Sequence, residues 1–257
     1  MIEFLKGEIK NELTLEPNHA LVYYLGHSGW AVKTKSHFLI FDYFERKKKI
    51  DYKTLLEGYI NPCEIKDEKV YVFVSHRHSD HYDRTIHQWK DKVNDITYIA
   101  GWNSRTDKFI GVPPHSDIKI GDVEISTLKS TDEGVGFLVK VDGLVIFHAG
   151  DHANWGDDPE FLYHNEIDYI AEKVSDTHIA FLPVTKFSGN RPQCMTEGAI
   201  YAIRKLNAKA IFPMHGNGKE ILYREFAGDV EKEGFNVICA EHPGNNFMYK
   251  EGNIKKL

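Results

Sequence analysis

Along the first third of the chain, short apolar and β-branched runs alternate with small or polar breaks. HALVYYLGH, WAVKT and HFLIFDY read as strands separated by Gly26-His27-Ser28-Gly29 and Lys35-Ser36, which predicts consecutive hairpins in one sheet. The charged run ERKKKIDYK interrupts them. The apolar strand VYVFV comes next, followed by DRTIHQWKDKV, in which Ile86, Trp89 and Val93 fall at helical spacing. A strand leading directly into a helix places SHRHSDHYD on the loop between the two. DIKIGDVEISTL and GVGFLVKVDGLVIFHAGD are again β-rich, and Asp142-Gly143 between two alternating runs is a hairpin signal.

Beyond residue 160 the period changes. Residues 161–174 read as a helix and HIAFLPV as a buried strand. MTEGAIYAIRKLN puts Ala199, Ile203 and Leu206 on one helical face, with Thr196 as the expected cap. AIFPMHG is a short strand ending in a histidine. KEILYREFAGDVEKEG carries Leu222, Phe226 and Val230 at four-residue spacing and stops at Gly234, and FNVICA reads as a closing strand. Sheets from both halves with helices outside them predict a layered α/β sandwich. No internal repeat, low-complexity tract or linker divides the sequence, so one domain over 1–257 is expected.

Composition narrows the picture. At 257 residues and 42% hydrophobic content a full core can be buried, and the net charge of -6 argues against a nucleic-acid or anionic-membrane partner. Cys63, Cys194 and Cys239 are odd in number and widely spaced, which predicts neither a disulfide framework nor a zinc ribbon. The N-terminal run MIEFLKGEIKNELTLEP is broken by charges before a signal peptide could form, and no later run is long enough for a bilayer. A soluble cytoplasmic protein is the expectation.

The densest chemistry lies in VFVSHRHSDHYD. Alternate side chains of an extended segment share a face, so His76 and His78 can point at one ion while Arg77 points away. Asp80 and His81 follow at the turn. Imidazole with carboxylate and no thiolate suits zinc best, with manganese or iron as alternatives.

This H-x-H-x-D-H loop resembles the signature of the metallo-β-lactamase superfamily. The resemblance extends over most of the chain: LGHSGWAVKTKSHFLIFDY looks like the opening hairpin of the family, HAGDH like its bridging aspartate and IFPMHG like its last metal histidine. It implies a four-layer αββα sandwich and one or two divalent ions. It further implies His76 and His78 on the first ion, Asp80, His81 and His215 on the second, Asp151 between them, and Asp42 orienting the cluster from behind. The nearest branch in appearance is the short, lactonase-like group of metal-dependent hydrolases.

One element of the pattern is missing. The family supplies a further first-site histidine between the loop and the Gly-Asp, but no histidine occurs between His115 and His148. Asp132 or Glu133 is the candidate substitute, or the first site is weak. His148 is expected as a neighbour of the ligands, His152 as facing substrate, and His115 as a solvated loop residue.

The resulting expectation is hydrolysis of a small ester, lactone or phosphoester, neutral or anionic, by a metal-bound hydroxide, with Asp80 orienting or deprotonating the water. Glu45-Arg46-Lys47-Lys48-Lys49 and Arg191 are candidate anion contacts, and Tyr43 and Phe44 candidate pocket walls. A non-catalytic metal-binding or sensing protein is the alternative, motivated by the missing histidine.

Overall fold

The structure is a computed structural model that describes residues 15–46, 52–156, 161–185 and 192–257. The first sheet has eight strands: β1 (His19–Gly26), β2 (Gly29–Lys33), β3 (Phe38–Phe41), β4 (Lys69–Val74), β5 (Asp95–Ala100), β6 (Ile110–Gly111), β13 (Asn246–Lys250) and β14 (Asn253–Lys256). Their spatial order is β14-β13-β1-β2-β3-β4-β5-β6. The second sheet contains β7 (Asp117–Ile120), β8 (Val123–Lys129), β9 (Val135–Val141), β10 (Leu144–His148), β11 (Thr177–Pro183) and β12 (Ala208–Met214), in the order β12-β11-β10-β9-β8-β7. Helices α1 (Leu162–Ala171), α2 (Pro192–Lys205) and α3 (Ile221–Val230) belong to the second half of the chain.

Period-two alternation explains the layering. On β3 and β4, Leu39, Phe41, Tyr71 and Phe73 join the main core with residues of the second sheet, while Phe38, Ile40, Val70, Val72 and Val74 join a separate cluster with Ile60, Ile65, Ile86, Trp89 and Val93. Apolar residues on both faces of these strands are therefore required, since each face is covered. The αββα sandwich is realised, with one difference in its outer layer. The segment expected as a helix after the histidine loop is a 3-10 helix over Arg84–Trp89, started by Asp83, whose side chain accepts from the Thr85 amide. Residues at i and i+3 share a face in a 3-10 helix as well, so Ile86 and Trp89 reach the core without an α-helix.

Two other expectations are corrected. α2 starts at Pro192, four residues before Thr196, because proline is preorganised for a first helical position. FNVICA is not a strand, as Val237 forms only one bridge, to Ile211. The Asp142-Gly143 turn is as read: both residues have positive φ (49° and 81°) and Val141 pairs with Leu144, the two-residue hairpin that matches strand twist. The three cysteines are free thiols, and among the described residues no helix is long and apolar enough to cross a membrane.

Pairing directions decide where chemistry can collect. β3, β4 and β5 are mutually parallel, as are β10, β11 and β12. Their carboxyl ends carry Asp42, Ser75-His76, the 149–152 turn and His215, and open α/β sheets place their sites beyond such ends.

Candidate metal centre

Asp42 is fully buried at the end of β3. Its Oδ1 accepts the Ser75 amide at 2.7 Å, and its Oδ2 accepts the Ser75 hydroxyl at 2.7 Å and Nδ1–H of His81 at 2.8 Å. Burial pushes its pKa up, but the neighbouring His81, then His148 and His76, outweigh this and hold it below the usual carboxylate value. An ionised carboxylate only accepts, so these contacts fix two tautomers. His81 must carry a proton on Nδ1, so that the neutral ring presents its Nε2 lone pair. Ser75 spends its proton on Asp42, so its oxygen, 2.9 Å from Nδ1 of His76, accepts from that ring and frees Nε2 of His76. Outer carboxylates that set imidazole tautomer and direction are the usual support of a metal ligand.

The same logic applies on the other side. Thr185 gives its hydroxyl proton to the His215 carbonyl and lies 3.4 Å from Nδ1 of His215, which turns Nε2 inward. Asp151 stands in the middle. Its Oδ1 is 3.1 Å from Nε2 of His81, and its Oδ2 is 3.5 Å from Nε2 of His215 and 3.6 Å from Nε2 of His76. Burial raises the Asp151 pKa, yet His215 and His81 bring it well below the usual range. Burial likewise disfavours charge on His81, but Asp42 and Asp151 lift its pKa to about 10. The buried carboxylates call for a positive charge, and a divalent ion supplies it without protonating a ligand.

Among the described residues two groups of side chains have ligand atoms within 4.8 Å of one another: His76, His78 and Asp151, and His27, His81 and His215. Nδ1 of His78 is 3.0 Å from Nε2 of His76, while its Nε2 is 3.3 Å from Oε2 of Glu133. With Nδ1–H of His76 spent on Ser75, His78 donates Nδ1–H to Nε2 of His76 across this gap, and an ion bound there would take the place of that proton. Nε2 of His81 and Oδ1 of Asp151 are buried without a hydrogen bond despite their proximity. Orphaned buried acceptors converging on a point, with nitrogen and oxygen chemistry, fit a divalent metal.

Five of the six side chains expected as ligands thus meet: His76, His78, His81, Asp151 and His215. Asp80 stands at the edge, about half exposed, with Oδ2 3.3 Å from Nε2 of His27, and the His27 contact holds its pKa well below normal. Both substitutes for the missing histidine are exposed; Glu133 approaches His78, whereas the Asp132 amide donates to the Ser130 hydroxyl oxygen. His148 is a buried neighbour, donating from Nε2 to Ser28 O at 2.9 Å and accepting the Gly150 amide on Nδ1.

Other expectations shift. His152 does not face an open pocket: it is buried, stacks on Tyr163 and accepts the Thr131 amide. His115 is paired with the Glu166 carboxylate at 2.9 Å rather than simply solvated. Tyr43 packs on Trp89 in the core, while Phe44 meets the His27 ring edge-on, so only the second can wall a pocket. Trp155 flanks His215 in the same manner. Arg46 donates to the carbonyls of Glu57 and Gly58. Lys47, Lys48, Lys49 and Arg191 lie outside the described residues.

The feature that sequence reading missed is His27. Its signal was the Gly-His-Ser-Gly turn itself, where an imidazole adopts positive φ (54°), as do Asp42 (45°) and His215 (70°). Such conformations cost about 1–3 kcal/mol each and cluster at functional sites.

Close backbone approach sets the position of His76. A Cβ on Gly134 would sit 2.0 Å from Ser75 O, and Gly134 already has φ of 74°. Gly134→Ala is therefore expected to destabilise the protein by about 1–3 kcal/mol, read as a lower urea midpoint at unchanged slope. A wild-type midpoint would show that the segment yields freely.

The beta-lactamase superfamily domain model matches residues 21–215. The metal-dependent hydrolase YtkL of Bacillus subtilis is 29% identical over 216 residues, 76% of this chain and 85% of YtkL. A metal-dependent hydrolase of Pelotomaculum thermopropionicum is 29% identical over 255 residues, 88% of this chain and 98% of the relative. Among solved structures, the metallo hydrolase Igni18 of Ignicoccus hospitalis superposes with a TM-score of 0.66 at 20% identity, covering 90% of this chain and 99% of that one.

Proposed function

Because the chain belongs to the beta-lactamase superfamily domain family, we propose that it is a metal-dependent hydrolase in which Asp151 joins two divalent ions. The observation that carries this reading is the pair of donor groups around Asp151, with their lone pairs turned inward by Asp42, Ser75 and Thr185. When bound, the ions supply Lewis acidity to the oxygen of the scissile group and acidify water to a near-neutral pKa. Zinc suits the nitrogen-rich donors best, with manganese or iron as alternatives.

The remaining work falls to the chain. His76, His78, His81 and His215 hold the ions, and Asp42 keeps His76 and His81 in the ligating tautomer. Asp80, at the mouth, orients the attacking water through its carboxylate. Phe44 and Trp155 meet the His27 and His215 rings edge-on and would wall a substrate bound beside them. Asp80 and Glu133 make the described rim acidic and Arg46 is committed to backbone carbonyls, so a neutral ester or lactone fits better than a phosphoester.

The test is turnover of p-nitrophenyl acetate, a simple lactone and bis-p-nitrophenyl phosphate by apoprotein reloaded with zinc, manganese or iron(II). Ester or lactone hydrolysis is expected, and His76→Ala should reduce it by about 10³-fold, equivalent to about 4 kcal/mol. Metal uptake with no turnover on any of these substrates would favour the binding or sensing role instead.

A further inference from the structure

We propose that His27 is a metal ligand, so that the second ion is held by three imidazoles, His27, His81 and His215, together with Asp151. This inference rests on the two-ion reading of the centre and assigns His27 the place that the resemblance gives to Asp80.

The turn bearing His27 is built to present its ring at a fixed place. The His27 carbonyl accepts the His215 amide at 3.1 Å, and the Ser28 carbonyl accepts Nε2–H of His148. Both ends of the cluster thus pin the same two-residue turn, with the left-handed backbone of His27 between them. The ring is buried, with its centroid 4.5 Å from that of His215 and 5.3 Å from that of His81. Neither of its nitrogens makes a hydrogen bond. An imidazole so placed, with one donor and one acceptor both out of water, is costly unless something occupies a nitrogen.

Asp80 does not fill that need. It approaches His27 at 3.3 Å without hydrogen-bond alignment and remains about half exposed. A ligand atom of His27 instead lies within 4.8 Å of those of His81 and His215. Three nitrogens and one carboxylate oxygen make a complete tetrahedral set for zinc. His76, His78 and Asp151 then form a three-ligand set, the number that leaves a position for water. The histidine missing from the first site and the one gained at the second are two aspects of one division: a saturated holding ion and an open working ion.

The experiment is titration of apoprotein with Co(II), reading ions bound per chain and the visible ligand-field absorption. Wild type and Asp80→Asn are expected to bind two, with the same spectrum. His27→Ala and His27→Gln should each bind one and lose the absorption of the second ion, with far-UV circular dichroism unchanged. The glutamine variant keeps a polar side chain in the turn, so agreement between the two variants excludes collapse of the hairpin. Two ions with an unaltered spectrum in either His27 variant would overturn the inference, as would loss of one ion in Asp80→Asn. Wild type that takes up no Co(II) would instead fail the two-ion reading itself, and this inference with it.

Discussion

Asp151→Asn is expected to empty the centre and to lower hydrolysis by about 10³-fold or more, equivalent to about 4 kcal/mol, while the fold remains intact. Its two oxygens reach three imidazoles, at 3.1 Å for His81 and 3.5 and 3.6 Å for His215 and His76, so it approaches histidines of both donor groups. Asparagine keeps the size but loses the charge and replaces one acceptor with a donor, which would point an N–H at nitrogen lone pairs. In the metal-free protein the change removes one of two carboxylates beside His81, so that ring no longer holds a proton as tightly. Metal per chain and turnover, measured with circular dichroism as the folding control, should fall together. Two ions retained in this variant would remove Asp151 from the bridge.

Asp42→Ala carries the second large effect, and it acts on stability first. The substitution leaves the Ser75 amide, the Ser75 hydroxyl and Nδ1 of His81 buried without their acceptor. Removing one partner of a buried charged network costs about 3–5 kcal/mol. Equilibrium urea unfolding of the metal-free protein checks it. Asp42→Asn separates the two roles of the residue, because it can still accept the Ser75 amide but sets a donor against His81. It should unfold closer to wild type yet bind metal about 10- to 100-fold more weakly, the cost seen when an outer partner of a ligating histidine is altered. Equal metal affinity in Asp42→Asn would mean that the tautomers are set elsewhere.

Most of this centre was legible because its parts are local. His76, His78 and His81 fall within one loop after one apolar strand, and Asp151 and His215 each close a short buried strand before or after a glycine. The alternation that marks β3 and β4 also tells which face meets the second sheet. His27 was not legible in this way. It is a single imidazole in a hairpin turn, and it joins His215 only because the two sheets pack on a common core and the His215 amide donates to the His27 carbonyl.

The misread elements have similar physical causes. Ile86 and Trp89 repeat at a spacing that α and 3-10 helices share, so periodicity alone could not separate them. In FNVICA the apolar content signalled burial, but the segment meets β12 at one bridge rather than along a ladder. Thr196 looked like a cap by residue type, and the proline that opens α2 carried the better signal. Between Asp132 and Glu133 the sequence offered no choice, since both sit in one turn; the approach of Glu133 to His78 comes from the fold of that turn.

The central claim is that Asp151 lies between two ions, and elemental analysis of the untagged, metal-reloaded protein tests it most directly. About two divalent ions per chain is the predicted result, falling below one in Asp151→Asn. No bound metal in the wild-type protein, after reloading with zinc, manganese or iron(II), would contradict it.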